Sequence, residues 1–165
     1  MALISDTGMR LREAAGLARE DIVLDADIPH VIIRPHAWRR LKTKGSERTL
    51  PLVGASLWAA ERALEASQHS PYLFPRYCND KGCKANSASA ALNKWLKQSI
   101  ADGYVKHSFR HSMRDRLRAA NCPSEMIDQI GGWSKRSVGK GYGEGFTLDN
   151  IRKQMESLNS IEGEG

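Results

Sequence analysis

No run of about 18 apolar residues occurs in the sequence, so a membrane-crossing helix is not expected. The N-terminal residues lack a basic flank followed by an apolar centre, which argues against a secretory signal. Cysteine is scarce and odd in number. Cys78, Cys83 and Cys122 are too few for a disulfide framework in a chain of 165 residues that is 41% apolar, and a reducing, cytoplasmic setting is the expectation. Cys78 and Cys83 lie five positions apart with no second pair and no adjacent His, so neither zinc nor any other metal is expected. Internal repeats, low-complexity tracts and a convincing interdomain linker are all missing, and one domain fits the length. Acidic residues are in deficit, 19 against 25 Lys and Arg. The net charge of +6 and isoelectric point near 9.4 favour a polyanionic partner such as nucleic acid.

The charge is unevenly distributed. Glu13 to Asp27 holds five acids and one Arg, whereas Arg34 to Arg48 holds six basic residues and one Glu. A second basic block, Lys106 to Arg118, carries five positive residues against Asp115, and Lys135, Arg136 and Lys140 form a third. Any one block reads as a solvated face. Three together read as the footprint of a phosphate backbone, with Arg34, Arg39, Arg40, Lys42, Arg48, Lys106, Lys135 and Arg136 as candidate DNA contacts.

Periodicity predicts a mainly helical α+β chain. Asp6 or Thr7 is placed to cap a short helix bearing Leu11, Ala14, Ala15 and Leu17. Short turn-bounded runs follow at 22–24, 31–34, 37–41 and 48–52, with Lys44, Gly45 and Ser46 as a turn, and imply a small antiparallel sheet. Leu57, Ala60 and Leu64 fit one helical stripe, and Leu92, Trp95, Leu96, Ser99 and Ile100 fit another. Residues 70–86, rich in Pro, Cys, Asn and Gly, read as a loop around Tyr72, Leu73 and Phe74. Further helices are predicted over 107–120, 124–130 and 147–158, the last with Leu148, Ile151, Met155 and Leu158 on one stripe.

Two segments carry chemistry. HSFRH (His107 to His111) sets His107 and Arg110 at i and i+3, so two phosphate-competent donors project together from one helix face. In GGWSKRSVGKGYGEG, Tyr142 sits among Gly139, Gly141, Gly143 and Gly145, a setting that presents a hydroxyl rather than burying it.

These residues resemble the tyrosine recombinases, or phage integrases. TGMRLREAAGL (Thr7 to Leu17) is similar to the family's first motif, RLKTKGSERTLPL (Arg40 to Leu52) to its lysine hairpin, HSFRH to its second motif, and Gly132 to Tyr142 to its third motif and nucleophile. Trp133 follows Arg110 by 23 residues and Tyr142 follows Trp133 by nine, as expected for the family. The resemblance implies the family's catalytic fold, mainly helical with a small antiparallel three-stranded sheet. It also implies that residues 1–165 form a C-terminal catalytic fragment without the N-terminal core-binding domain.

The roles implied are specific. Arg10 and Arg110 match the two arginines that clamp the non-bridging oxygens of a scissile phosphate, a task suited to planar, permanently charged guanidinium forks. His107 matches the position that assists proton transfer and phosphate binding. Lys44 matches the general acid for the departing 5′ oxygen. Lys42 competes for that role, because alternation puts both on the same face of the strand. Tyr142 matches the nucleophile that forms a 3′-phosphotyrosyl intermediate with no cofactor. Glu13 resembles the acid that supports the first arginine. His111 resembles a structural His, expected to be buried or bonded to backbone.

One departure stands out. Where the family usually reads Leu-Gly-His, this chain has Gly131, Gly132 and Trp133. An indole N–H still donates to a phosphate oxygen, but it cannot relay a proton. The function implied is site-specific DNA recombination or integration on double-stranded DNA, with other protomers joining in a synaptic tetramer. The apolar stripe of the last helix is expected either to dock on a neighbouring protomer or to fold back. The alternative is a catalytically silent DNA-binding remnant. A type IB topoisomerase-like relaxing enzyme is disfavoured by the short motif spacings.

Overall fold

The computed structural model describes residues 1–43, 46–99, 106–133 and 145–161, without the side chains of 106–108 and 159–161. The first helix, α1 (Ala2–Thr7), was not anticipated. It ends at Gly8, whose φ of 61° lets its N–H reach the Ile4 carbonyl. Neither predicted capping residue caps the helix after it. The Thr7 hydroxyl donates back to the Leu3 carbonyl, and Asp6 accepts the Ser56 N–H at 3.2 Å, in the first turn of another helix. The helix that does follow, α2 (Leu11–Ala15), starts at Arg10, whose backbone N–H donates to Glu13 Oε2 at 2.8 Å.

Three of the four predicted strands form the antiparallel sheet β1 (Ile22–Val23), β2 (His30–Ile33), β3 (Arg48–Pro51), in that order. Val31 pairs with Ile22 on one side and Leu50 on the other, and Val31, Ile33 and Leu50 are fully buried. Residues 37–41 form no strand of it. His36 and Arg39 exchange backbone hydrogen bonds across a tight turn instead, Trp38 Nε1 donates to the Gly16 carbonyl at 3.0 Å, and Arg39 is buried. The chain turns inward there because side chains of the turn pack under α2.

The helix α3 (Gly54–Ala66) follows the sheet. In place of a plain loop, residues 70–86 contain a second ribbon, β4 (Cys78–Asn79) paired with β5 (Gly82–Cys83). Four more helices complete the described chain: α4 (Ala85–Ser99), α5 (Lys106–Ala119), α6 (Ser124–Gly131) and α7 (Leu148–Ile161). On α4 the expected stripe is only partly right: Leu96 is fully buried, while Trp95 is 47% exposed.

The core lies between the sheet and the helices, with Met9, Leu17, Met113, Leu117 and Ile130 fully buried. Ile151, Met155 and Leu158 of α7 join it, packed over β3 and α5. The last helix therefore folds back on its own core. No helix among the described residues is long and apolar enough to cross a membrane.

Candidate active site

The site is assembled around a buried carboxylate. Glu13, in the first turn of α2, is almost wholly enclosed and takes two guanidinium groups. Arg10 Nη1 donates to Oε1 at 2.7 Å, and Arg48 Nη2, from the start of β3, donates to Oε2 at 2.9 Å. Burial alone would raise the Glu13 carboxyl, but Arg48, with help from Arg10, outweighs it and holds the group below the usual carboxylate range.

The same arginines, with a third, close the C-terminal end of α6. Arg48 Nε donates to the Ile130 carbonyl at 2.7 Å, Arg110 Nη2 to the Gly131 carbonyl, and Arg10 Nη2 to the Gly132 carbonyl at 3.1 Å. Three consecutive acceptors that a helix end leaves unpaired are each met by a cation, which also suits the negative end of the helix dipole. Gly132 makes the turn possible with φ 58°, and a Cβ there would lie 2.8 Å from Arg48 Nη1. Arg110 also donates to the Gly8 carbonyl, so it spans α1 and α6.

Trp133 lies against this end. The Arg110 guanidinium carbon stands 4.3 Å from the indole centroid and that of Arg114 at 5.2 Å, both within cation–π range. A Cβ on residue 131 would come within 1.8 Å of Trp133 Cε3, so the indole occupies the space that a side chain at 131 would fill. Burial, reinforced by repulsion from Arg10, pushes Arg110 down to about 10, which leaves it charged at neutral pH. Arg10, Arg110 and Trp133 open onto one cleft of about 510 Å³, bordered also by Arg12, Lys42 and His111.

The structure thus brings together Arg10, Glu13, Lys42, Arg110, His111 and Trp133. Lys44, Tyr142, Lys135 and Arg136 lie outside the described residues, as do the side chains of Lys106 and His107. Of the two alternatives expected for His111, burial is excluded. It is exposed on α5, on the side away from Met113 and Leu117, which face the core.

Two of the candidate DNA contacts are corrected by burial. Arg39 is fully buried, and Arg48 is 5% exposed and committed to Glu13. Arg34 is paired to Asp21 at 2.8 Å and to the exposed Glu20 at 2.7 Å, and its side chain is 40% exposed. Arg40 and Lys42 remain exposed. Charge counting missed these internal partners because the acids concerned lie at least 13 residues away in sequence. Arg114 was also missed as a neighbour of Trp133, although its i+4 relation to Arg110 on α5 signals a shared face.

The fold is the catalytic fold of tyrosine recombinases, helices around a small three-stranded sheet. The chain's sequence matches the phage integrase family over residues 1–144, and the chain belongs to that family. Among solved structures it is similar to the Tn1549 transposon integrase in complex with circular intermediate DNA, with a TM-score of 0.61 and 18% identity over 93% of this chain and 55% of that one. It is similar also to the XerH site-specific recombinase bound to difH substrate in a pre-cleavage complex, with a TM-score of 0.58 and 18% identity over 97% of this chain and 43% of the other. The chain therefore spans about half the length of these relatives. No curated protein matches it.

Proposed function

We propose that residues 1–165 are the catalytic domain of a DNA strand transferase that cleaves and rejoins double-stranded DNA in site-specific recombination or integration. The observation that carries this reading is the convergence of Arg10 and Arg110 on one cleft, with Arg10 oriented by the buried carboxylate of Glu13. Two guanidinium forks about one scissile phosphate stabilise the charge that grows on its non-bridging oxygens as the phosphorane forms. The Trp133 indole N–H adds a donor but takes no part in proton transfer.

In this reading the Tyr142 hydroxyl oxygen attacks phosphorus, the bond from phosphorus to the 5′ oxygen breaks, and a 3′-phosphotyrosyl bond holds the strand for rejoining. Lys44 or Lys42 gives the leaving 5′ oxygen its proton, and His107 assists proton transfer at the phosphate. Neither metal nor cofactor is needed. Other protomers join on DNA to form a synaptic tetramer.

Incubation with a nicked suicide duplex tests the proposal, read as a covalent adduct that survives a denaturing gel. Wild type is expected to form it and Tyr142→Phe to bind DNA without forming it. An adduct in the Phe variant removes Tyr142 as nucleophile. Absence of an adduct in wild type favours the silent remnant, a reading to which the loss of a relaying His at position 133 lends support. A duplex with a 5′-bridging phosphorothiolate, whose leaving group needs no proton, is expected to rescue Lys44→Ala; rescue of Lys42→Ala moves the acid two residues back.

A further inference from the structure

The ribbon of β4 and β5 places two thiols that the recombination chemistry does not use. Cys78 and Cys83 are direct cross-strand partners. The Lys84 N–H donates to the Tyr77 carbonyl at 2.7 Å just outside them, so the cysteines occupy the non-hydrogen-bonded position of the ladder. Facing residues there have their Cα atoms about 4.5 Å apart, within the range of roughly 4.4–6.8 Å that a disulfide spans. Both are free thiols.

The two are not equivalent. Cys78 is buried and its thiol lies 3.1 Å from the Ala15 carbonyl at the end of α2. Cys83 is half-buried and borders a surface pocket of about 310 Å³ that also presents Arg12 and Lys84. The neighbouring Cys78 thiol, opposed by burial and aided by the positive charges of Arg12 and Arg39, brings Cys83 down to about 7, while the same proximity, with burial, pushes Cys78 up. Arg39 is a fully buried cation whose Nε and Nη1 have no hydrogen-bond partner among the described residues. Asp21, whose carboxylate lies 3.9 Å from Arg39 Nη2, is the first of the negative groups that act on it. A thiolate at this ribbon offsets part of the cost of that burial.

We propose that Cys78 and Cys83 form a redox-active dithiol that reacts with a small anionic disulfide of the glutathione class and closes to a cross-strand disulfide. The Cys83 thiolate attacks one sulfur of the incoming disulfide, forming a mixed disulfide and expelling one thiolate. Cys78 then attacks the Cys83 sulfur, and the second small thiol leaves with the Cys78 proton. The two protein thiols are oxidised by two electrons and the small disulfide is reduced to two thiols. Arg12 and Lys84 at the pocket select an anionic oxidant. The consequence reaches the cleft, because the S–H donor to Ala15 is lost at one end of the helix whose other end holds Arg10 and Glu13.

The test treats the intact chain with glutathione disulfide, unfolds it, alkylates the remaining thiols and digests it with trypsin. Cleavage after Lys81 separates the two cysteines, so closure leaves peptides 77–81 and 82–84 joined by a disulfide. Cys122, buried and pushed up to about 11, is the internal control and is expected to be fully alkylated. Alkylation of both Cys78 and Cys83, or a lasting glutathione adduct on Cys83 without closure, overturns the proposal. Cys78→Ser is expected to stop at the mixed disulfide on Cys83, and modification that avoids Cys83 in this variant overturns the order of attack. Lys84→Glu is expected to slow glutathione disulfide about tenfold and to leave the cationic cystamine no slower. Equal slowing of both removes the preference for an anionic oxidant.

Discussion

Glu13 is the residue whose loss exposes how the site is held. It is a single buried anion between Arg10 and Arg48, so its replacement by Ala strands two cations, and a loss of about 3–5 kcal/mol in denaturant unfolding is expected. Its folded pKa is depressed, so its stabilising contribution is complete above the ordinary carboxylate value of about 4.3 and is lost as pH falls through the lower folded value. Glu13→Gln is expected to flatten that acidic limb of the stability profile; an unchanged limb shows that other carboxylates cause it. Arg10→Ala and Arg110→Ala are each expected to slow cleavage of the suicide duplex by about 10²- to 10³-fold, and wild-type rates in either refute the clamp. Arg10, Glu13 and Arg110 were legible in the sequence because their motif spacing is local. Arg39 and Arg48 were not, because a count of charges along the chain is blind to burial, and their carboxylate partners come from other elements.

At the scale of elements, the C-terminal end of α6 couples two positions that a motif comparison treats one at a time. Gly131 and Trp133 compete for one volume, so the departure from Leu-Gly-His at these places is a compensated exchange in which a small residue makes room for a large ring. Gly131→Leu alone is expected to destabilise by about 1–3 kcal/mol through overpacking. Combined with Trp133→His it is expected to cost less than the sum of the two single changes, a coupling that a double-mutant cycle of thermal melts measures. Additive costs show that the ring does not use the space. Helix α1 escaped the sequence reading because its six residues are too short for a clear periodic signal, and the start of α2 was misplaced because the Arg10 and Glu13 pair begins it rather than a short hydroxyl or amide cap. The exposed Trp95 shows the limit of a stripe argument: Ala88 and its neighbour Leu96 are the residues of α4 that are buried.

For the molecule as a whole, α7 is part of the core. Ile151→Ala or Met155→Ala is expected to lower stability by about 2–5 kcal/mol, and near-neutral values would show that the helix is only loosely docked. The electrostatic footprint is smaller than composition suggests, because Arg39 and Arg48 are engaged internally. The salt dependence of duplex binding is accordingly expected to be shallower, by about 1.8 in log–log slope, than if both met phosphates. Arg40→Ala and Lys42→Ala are each expected to reduce the slope by about 0.9, and an unchanged slope removes that residue from the interface.

The arginine grip on Ile130, Gly131 and Gly132 has one more consequence. In the resting protein the Gly131 and Gly132 oxygens serve as surrogate ligands for the two arginines proposed to hold a phosphate. Substrate capture is then a substitution, in which phosphate oxygens displace carbonyls from Arg10 and Arg110, and its net free energy is a difference between two similar sets of bonds. The affinity for a phosphate and the strength with which the chain is tethered just ahead of residue 134 cannot be set independently. Whatever tightens one loosens the other.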